Sequence, residues 1–424
     1  MNEALLQYIW MAGLFDARDL KTTDGQEITI LKRGLLNTDS GPDFSHARLR
    51  IGRTEWAGQV EIHLKPEDWY KHRHHLDKAY NNTILHVVYD SGAPCMRADG
   101  SELPCLVLKE RVAVRLLERY AELRQSGKWI ACAPFLPLPD AFVFKQTIDR
   151  ALVQRLERKS RQVHDWLKRS AGDWQTALYL ALARSFGFST NGEAFEQVAA
   201  HLPLKYLHKH REHTLQTEAL VFGVAGFLCE TEGDAYYMQL QNEWLFLQSK
   251  YQLKAIEKSN FKWMRMQPGN FPALQLAQFS VLALRCTTLF EEIRRIQTVA
   301  DLRKAIVCEA PAYWKTHYHF SRTSSPHSTV LSADACDHIL INALAPVLFV
   351  FGKETGDELS CEKALSVLQY TAPEKNHIVH AWQTLGISAR NAYETQALLE
   401  LKKQNCDAMA CLNCPVGNAV LSST

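Results

Sequence analysis

The spacing of apolar residues changes once along the chain. Up to about residue 110, helical and strand-like patterns alternate. "EALLQYIWMAGLF" carries apolar residues at helical spacing, whereas "EITILKRG" and "ARLRIG" alternate as strands do. "TEWAGQVEIHLK" reads as a third strand, joined to the second by a hairpin turn over residues 52–55. "PEDWYKHRHHLDKAYNN" opens on Pro66 and acidic residues, as helices do, and stops at Asn81-Asn82. The apolar, β-branched run "TILHVVYD" predicts a central strand. A short hairpin turning at Asp99-Gly100 is expected within "PCMRADGSELPCLVLK". The predicted order is helix, strand, hairpin, helix, strand.

"APFLPLPDAF" (Ala133 to Phe142) holds three prolines and reads as a linker. Beyond it the period is helical: Ile148, Leu152 and Leu156 share one face, and Val163 and Leu167 repeat it. "DWQTALYLALARSF", "TEALVFGVAGFL", "ALQLAQFSVLALRC" and "NAYETQALLELKKQ" predict further helices. The expected fold class is α+β, with an α/β domain over residues 1–132, a mainly α-helical domain over 143–404 and a cysteine-bearing tail over 405–424. The apolar run "ILINALAPVLFVF" is too short to span a bilayer and contains Pro346, so a buried helix and no membrane contact are expected.

Composition adds bounds. With 424 residues, two or three domains are expected. Apolar residues at 46% and charged residues at 22% fit a soluble globular protein, and a net charge of +2 does not select a partner. "MNEALLQYIW" lacks a basic flank before a long apolar stretch, so a signal peptide is not expected. Eleven cysteines without such a peptide imply reduced thiols, a cytoplasmic setting, and metal binding wherever thiols cluster. Neither a G-x4-G-K-[ST] phosphate loop nor a G-x-S-x-G elbow occurs; "GKETGD" is a glycine-bounded turn. A nucleotide-driven motor and an α/β-hydrolase are thereby disfavoured.

The candidate chemistry lies in "GPDFSHARLRIGRTEWAGQVEIHLK". Strand alternation puts Gln59, Glu61, His63 and Lys65 on one face and Val60, Ile62 and Leu64 on the other. One reading is a half-exposed strand with a solvated polar face. The other starts from Asp43 at the head of the preceding strand, where a hairpin brings it near Glu61. Two converging carboxylates make a hard oxygen site suited to Mg²⁺ or Mn²⁺, and His63 or Lys65 beside it could orient or deprotonate water. Register restricts this reading. A two-residue turn at Arg53-Thr54 sets His46, not Asp43, on the face of Glu61, so a three-residue turn, a bulge or an irregular Pro-Asp corner is required. On the following helix His72 and His75 share a face, with Asp77 and Tyr80 nearby. His86, in an apolar strand, reads as a hydrogen-bonded core residue.

Pro42-Asp43 followed by Glu61-Ile62-His63 resembles the PD-(D/E)XK nuclease superfamily, whose core has the same element order. The resemblance implies a nuclease-like N-terminal fold with Asp43 and Glu61 as metal ligands. His63 stands where the superfamily has lysine, and Lys65 lies on the same face.

Cys406, Cys411 and Cys414 form a C-x4-C-x2-C arrangement in "CDAMACLNCPVG", which favours Zn²⁺ or an iron–sulfur cluster over a tail of free thiols. Cys361, Cys336 or a histidine are candidates for the fourth ligand. Residues 145–170 hold eight Lys/Arg against three Asp/Glu. Residues 250–265 hold five against one, interleaved with Tyr251, Phe261 and Trp263. Such segments suit phosphate contact and base stacking, so DNA or RNA is a candidate partner, although a solvated basic face has the same appearance.

Six stretches together resemble a bacterial family, domain-of-unknown-function family 2851: "LNTDSGPDF", "WAGQVEIHLKPEDWY", "YNNTILHVVYD", "MQPGNFPALQLAQ", "ILINALAP" and "CLNCPVGN". That resemblance implies no activity. The functional expectation is a metal-dependent nuclease with Asp43 and Glu61 holding the ion. The alternatives are a non-catalytic nucleic-acid-binding protein on the same fold and a structural or assembly protein.

Overall fold

The computed structural model describes residues 1–136, 140–263 and 266–423. It divides the chain into two compact units, Met1–Thr147 with Leu401–Thr424, and Ile148–Glu400. The centre of the expected linker, residues 137–139, lies outside the described residues, as do residues 264–265 of the second basic segment.

The first unit is built on a sheet. Its strands are β1 (Ile28–Lys32), β2 (Leu35–Leu36), β3 (Phe44–Ile51), β4 (Thr54–His63) and β5 (Thr83–Val88). The short hairpin β6 (Cys95–Met96) and β7 (Glu102–Leu103) follows, then β8 (Cys105–Val107). The main sheet runs β1-β3-β4-β5-β8, with β2 also paired to β3. The β1–β3 and β3–β4 pairs are antiparallel, whereas β4–β5 and β5–β8 are parallel. Helix α1 (Glu3–Ala12) begins at Asn2, whose side chain accepts the Leu5 amide at 3.0 Å, and ends at Gly13 with φ 71°. It buries Leu5, Leu6, Ile9 and Trp10 in the core that also takes Val60, Ile62, Leu85 and Val87 from the sheet. The predicted order of helix, strand, hairpin, helix and strand is present.

Two details position the functional end of this sheet. The β3–β4 turn occupies Gly52 and Arg53, between the paired Ile51 and Thr54. Register then slips by one residue between Phe44 and Ala47, where His46 takes φ 58°. That bulge satisfies the register requirement: Phe44 faces Val60, and Asp43 comes to Glu61. At Gly58 the carbonyl of Asn82 approaches so closely that a Cβ would sit 2.5 Å from it, which lets β5 enter the sheet tightly against β4.

The second helix is much shorter than its pattern predicts. Helix α2 (Asp68–Lys71) makes one turn, anchored by buried Trp69, whose indole donates to the Met96 carbonyl at 3.1 Å. Arg73 adopts φ 62°, which ends the helical path, and 3₁₀ turns follow at His74–Leu76 and Lys78–Tyr80. Helix α3 (Val114–Gln125) lies against the C-terminal helix Pro415–Ser422, and Arg119 donates to the Val420 carbonyl at 3.1 Å. Val420 and Leu421 complete the same core as Leu5 and Ile62, so the expected C-terminal tail is packed into the first unit.

The second unit is helical. Helix α4 (Ala141–Arg169) enters it, and α5 (Trp174–Phe186) follows as predicted. Trp314, Trp382, Tyr179, Phe222 and Phe279 are fully buried within it. Residues Ala333–Thr355 form one helical run with a wide π turn at Leu340–Leu344, just ahead of Pro346, which has no amide proton to donate. By length and apolarity this run could cross a bilayer, but 78% of its most apolar stretch is buried inside the protein.

Many of the basic residues of α4 are engaged within the unit. Arg158 makes paired hydrogen bonds of 2.8 and 2.7 Å to Glu400, Arg155 adds one at 3.3 Å, and Lys159 donates to Asn342 at 2.6 Å. The rings of the second basic segment are also used in packing. Tyr251 stacks on Tyr206 at 4.3 Å, Phe261 packs on Phe195 and Phe227, and Trp263 stacks on His319 at 4.9 Å.

Candidate metal centre

The C-terminal half of β4 is buried on both faces, with Glu61 4% exposed and His63 fully enclosed. The expectation of a half-exposed strand with a solvated polar face therefore does not hold. Parallel strand β5 covers one edge, and the segment after α2 folds over the polar face.

That segment brings two further imidazoles to His63. Its Nε2 lies 3.1 Å from Nδ1 of His72, and the ligand-type nitrogens of His63, His72 and His74 all lie within 4.8 Å of one another. Glu61 Oε1 lies 3.4 Å from His63 Nε2 and 3.3 Å from His74 Nε2. His74 Nε2 is nevertheless buried without a hydrogen bond. A tetrahedral ion with bonds of about 2.0–2.1 Å places neighbouring ligand atoms about 3.3–3.4 Å apart. Three of the separations, 3.1, 3.4 and 3.3 Å, are close to such edges, and an ion would satisfy the orphaned nitrogen.

Surrounding contacts hold the cluster in place. His63 Nδ1 pairs with His86 Nε2 at 2.8 Å, so an Nδ1–H donated to His86 leaves the His63 Nε2 lone pair facing the cluster. Burial holds both rings neutral, as ligation requires: His63 is pushed down to about 2 and His86 to about 3, with neighbouring imidazoles adding to the effect. His74 stacks on Tyr80 with ring centroids 3.8 Å apart. Glu61 Oε2 accepts the Asp43 amide at 3.1 Å. The Asp43 carboxylate accepts from the Gln7 side chain at 2.8 Å and from the Ile62 amide at 3.0 Å. Burial, with the Glu61 charge second, raises Asp43 to about 7.

Asp43 and Glu61 lie side by side with His63 next to Glu61, but the Asp43 carboxylate, expected as a metal ligand, is taken up by the Gln7 side chain and the Ile62 amide; His86 is hydrogen-bonded in the core to His63. Lys65 stands apart: it lies in the bend beyond β4, its side chain exposed. The helix break also changes which histidines converge. Helical spacing selects His72 with His75, whereas the broken segment presents His72 and His74, and His75 packs on Tyr70 instead. The alternate-position pair His72-x-His74 was the available signal, readable only if the helix is known to stop at Lys71. Cys406 closes a wide turn over Leu401–Cys406, Cys411 opens a 3₁₀ turn, and Cys414 immediately precedes the C-terminal helix, all within the first unit. Cys336 and Cys361 belong to the second unit.

A family model described as "Protein of unknown function (DUF2851)" matches residues 3–377. The chain belongs to that family. Neither the curated proteins nor the solved structures yield a match.

Proposed function

We propose that this member of the family is a metal-dependent hydrolase of phosphodiester bonds, with its ion held by His63, His72 and His74 and with Glu61 beside it. The observation that carries this reading is the buried His74 nitrogen, without a hydrogen bond yet 3.3 Å from a carboxylate oxygen and grouped with two other imidazoles. The donor set, three imidazole nitrogens with a carboxylate alongside, suits a first-row transition ion, zinc foremost, better than Mg²⁺. Such an ion supplies Lewis acidity and an acidified water. Asp43 serves as a positioning residue, fixing Glu61 and the end of β4 through two backbone contacts. Lys65, Arg73 and Lys78 are exposed on the segments flanking the ligands, which favours an anionic substrate such as a nucleic acid. The helix, strand, hairpin, helix, strand order and the Asp43–Glu61 pairing support a nuclease-like reading.

A second reading rests on Glu61: counted as a fourth ligand beside the three imidazoles it would complete a tetrahedron, and closed sites of that kind are structural.

The two readings separate in one experiment. Metal content is measured in purified wild type, His74→Ala and Glu61→Ala, and each is assayed on labelled DNA and RNA and on bis(p-nitrophenyl) phosphate with Zn²⁺, Mn²⁺ or Mg²⁺. The hydrolase reading expects cleavage by wild type that falls at least 100-fold in both variants while they remain folded. Metal binding without cleavage, and unfolding on chelation, establishes the structural reading. Wild type that binds no transition ion overturns both.

A further inference from the structure

The first unit is made of two pieces of chain, Met1–Thr147 and Leu401–Thr424, and its thiols gather where those pieces meet. Lys402 lies over the Trp129 ring, 5.0 Å from its centroid, which sets the Leu401–Cys406 turn beside the strand of chain leading to Cys132. Cys132 and Cys411 both pack against the same core, as do Phe135, Met409 and Leu412. Cys132 is within electrostatic reach of Cys406, Cys411 and Cys414, and Cys411 of Cys414. Local geometry shapes the Cys411–Cys414 loop for ligation: the Cys414 amide donates back to the Cys411 carbonyl at 3.3 Å, and the Asn418 amide donates to the Cys414 carbonyl at 2.8 Å. Gly417 is required there, because a Cβ would stand 2.2 Å from the Cys411 oxygen.

We propose that Cys132 joins Cys406, Cys411 and Cys414 as the fourth thiolate of one metal centre, which staples the C-terminal segment to the sheet unit. Spacing predicted three ligands, and the fourth comes from far upstream in sequence, at the edge of the proline-rich stretch. Arg124 and Lys402 lie near enough to offset part of the negative charge of four thiolates on a metal. Among the described residues, three ligand atoms lie within 4.8 Å of one another at the histidines and not at the thiols. Four thiolates suit either a single zinc or an iron–sulfur cluster. This site is independent of the histidine centre and of any catalytic reading.

The test uses the full chain purified without oxygen. Iron, zinc and acid-labile sulfide are quantified, and sulfur ligation is read by X-ray absorption at the metal edge, which separates this centre from the nitrogen-ligated one. Iron with sulfide and visible absorption identifies a cluster, and zinc without sulfide a single ion; either supports the proposal. Cys132→Ser should lose sulfur-ligated metal as completely as Cys411→Ser, whereas Cys361→Ser keeps it. If the variants fail to fold, native wild type is alkylated before and after metal removal and mapped by mass spectrometry. All four cysteines should be protected together and released together. Cys132 labelled while the other three stay protected, or wild type without sulfur-ligated metal, overturns the proposal.

Discussion

Asp43 and Glu61 are locked together through the main chain: the Asp43 amide donates to Glu61 Oε2 at 3.1 Å, and the Asp43 carboxylate accepts the amide of Ile62 at 3.0 Å. The exchange fixes one oxygen of Glu61 and leaves Oε1 turned toward His63 and His74. It exists because β3 carries one extra residue at His46. Without the bulge, Phe44 would stand opposite Glu61 and the carboxylate would lose its anchor.

The bulge therefore has a testable cost. His46 sits at φ 58°, where a β-branched side chain collides with its own backbone and the left-handed region costs roughly 1–2 kcal/mol. His46→Val should lower the unfolding free energy by about that amount and weaken metal binding, whereas His46→Gly should leave both close to wild type. Denaturant unfolding and metal competition on the two variants check this, and equal behaviour of Val and Gly would remove the bulge from the account.

His86 acts on the site through His63. Outer partners of ligating histidines typically contribute about 10–100-fold in metal affinity. His86→Leu should lose that much, because His63 Nδ1 then has no acceptor, while His86→Gln should recover part of it. His86 Nδ1 is already buried without a hydrogen bond, so His86→Leu leaves one new orphan, His63 Nδ1, and the fold should persist in both variants. Affinity from chelator competition, read beside thermal unfolding of the metal-free protein, separates positioning from simple damage.

These relationships were unevenly legible in the sequence. Element order, the hairpin and the Asp43–Glu61 pairing follow from period-two alternation and from the stated need for a register shift, since strand geometry is local. His86 was readable as a hydrogen-bonded core residue because a polar ring in an all-apolar strand needs a partner. His74 was not readable, because the pattern of residues 66–82 promises a helix and Arg73 breaks it through a left-handed conformation that composition does not announce. The nearness of Cys132 to the C-terminal cysteines was hidden for another reason: they lie beyond a whole intervening unit, and spacing rules cover only neighbours in sequence. The basic face of α4 illustrates a third limit. Charge counts show eight cations in residues 145–170, but cannot show that buried Glu400 takes two of them.

That last arrangement predicts a stability effect. Glu400 is 1% exposed and receives both guanidinium groups, with Arg155 largely buried and Arg158 partly exposed. Removing the carboxylate leaves buried positive charge without compensation, at a cost of about 3 kcal/mol, toward the lower end for buried pairs because Arg158 reaches water. Glu400→Gln should therefore unfold at markedly lower denaturant with metal content unchanged. A shift under 1 kcal/mol would show that water already screens the pair.

Glu218 should make the second unit more stable in acid than in base. Its carboxyl is fully buried, accepts hydrogen bonds from the Tyr236 hydroxyl and the Trp314 indole, and is raised by burial from the usual 4.5 to about 7. The folded protein thus holds a proton that the unfolded chain releases above about pH 4.5. Stability from this group is fully present below that pH, declines as pH rises toward 7, and is lost above it, by an amount of about 3 kcal/mol. Glu218→Gln carries no such proton: its amide oxygen can accept from Trp314 while its NH₂ donates to Tyr236. The difference in unfolding free energy between variant and wild type should be level below pH 4.5 and move in the variant's favour between pH 5 and 8. Urea unfolding across that range decides the matter, and a level difference throughout would mean that Glu218 is ionised in the folded protein.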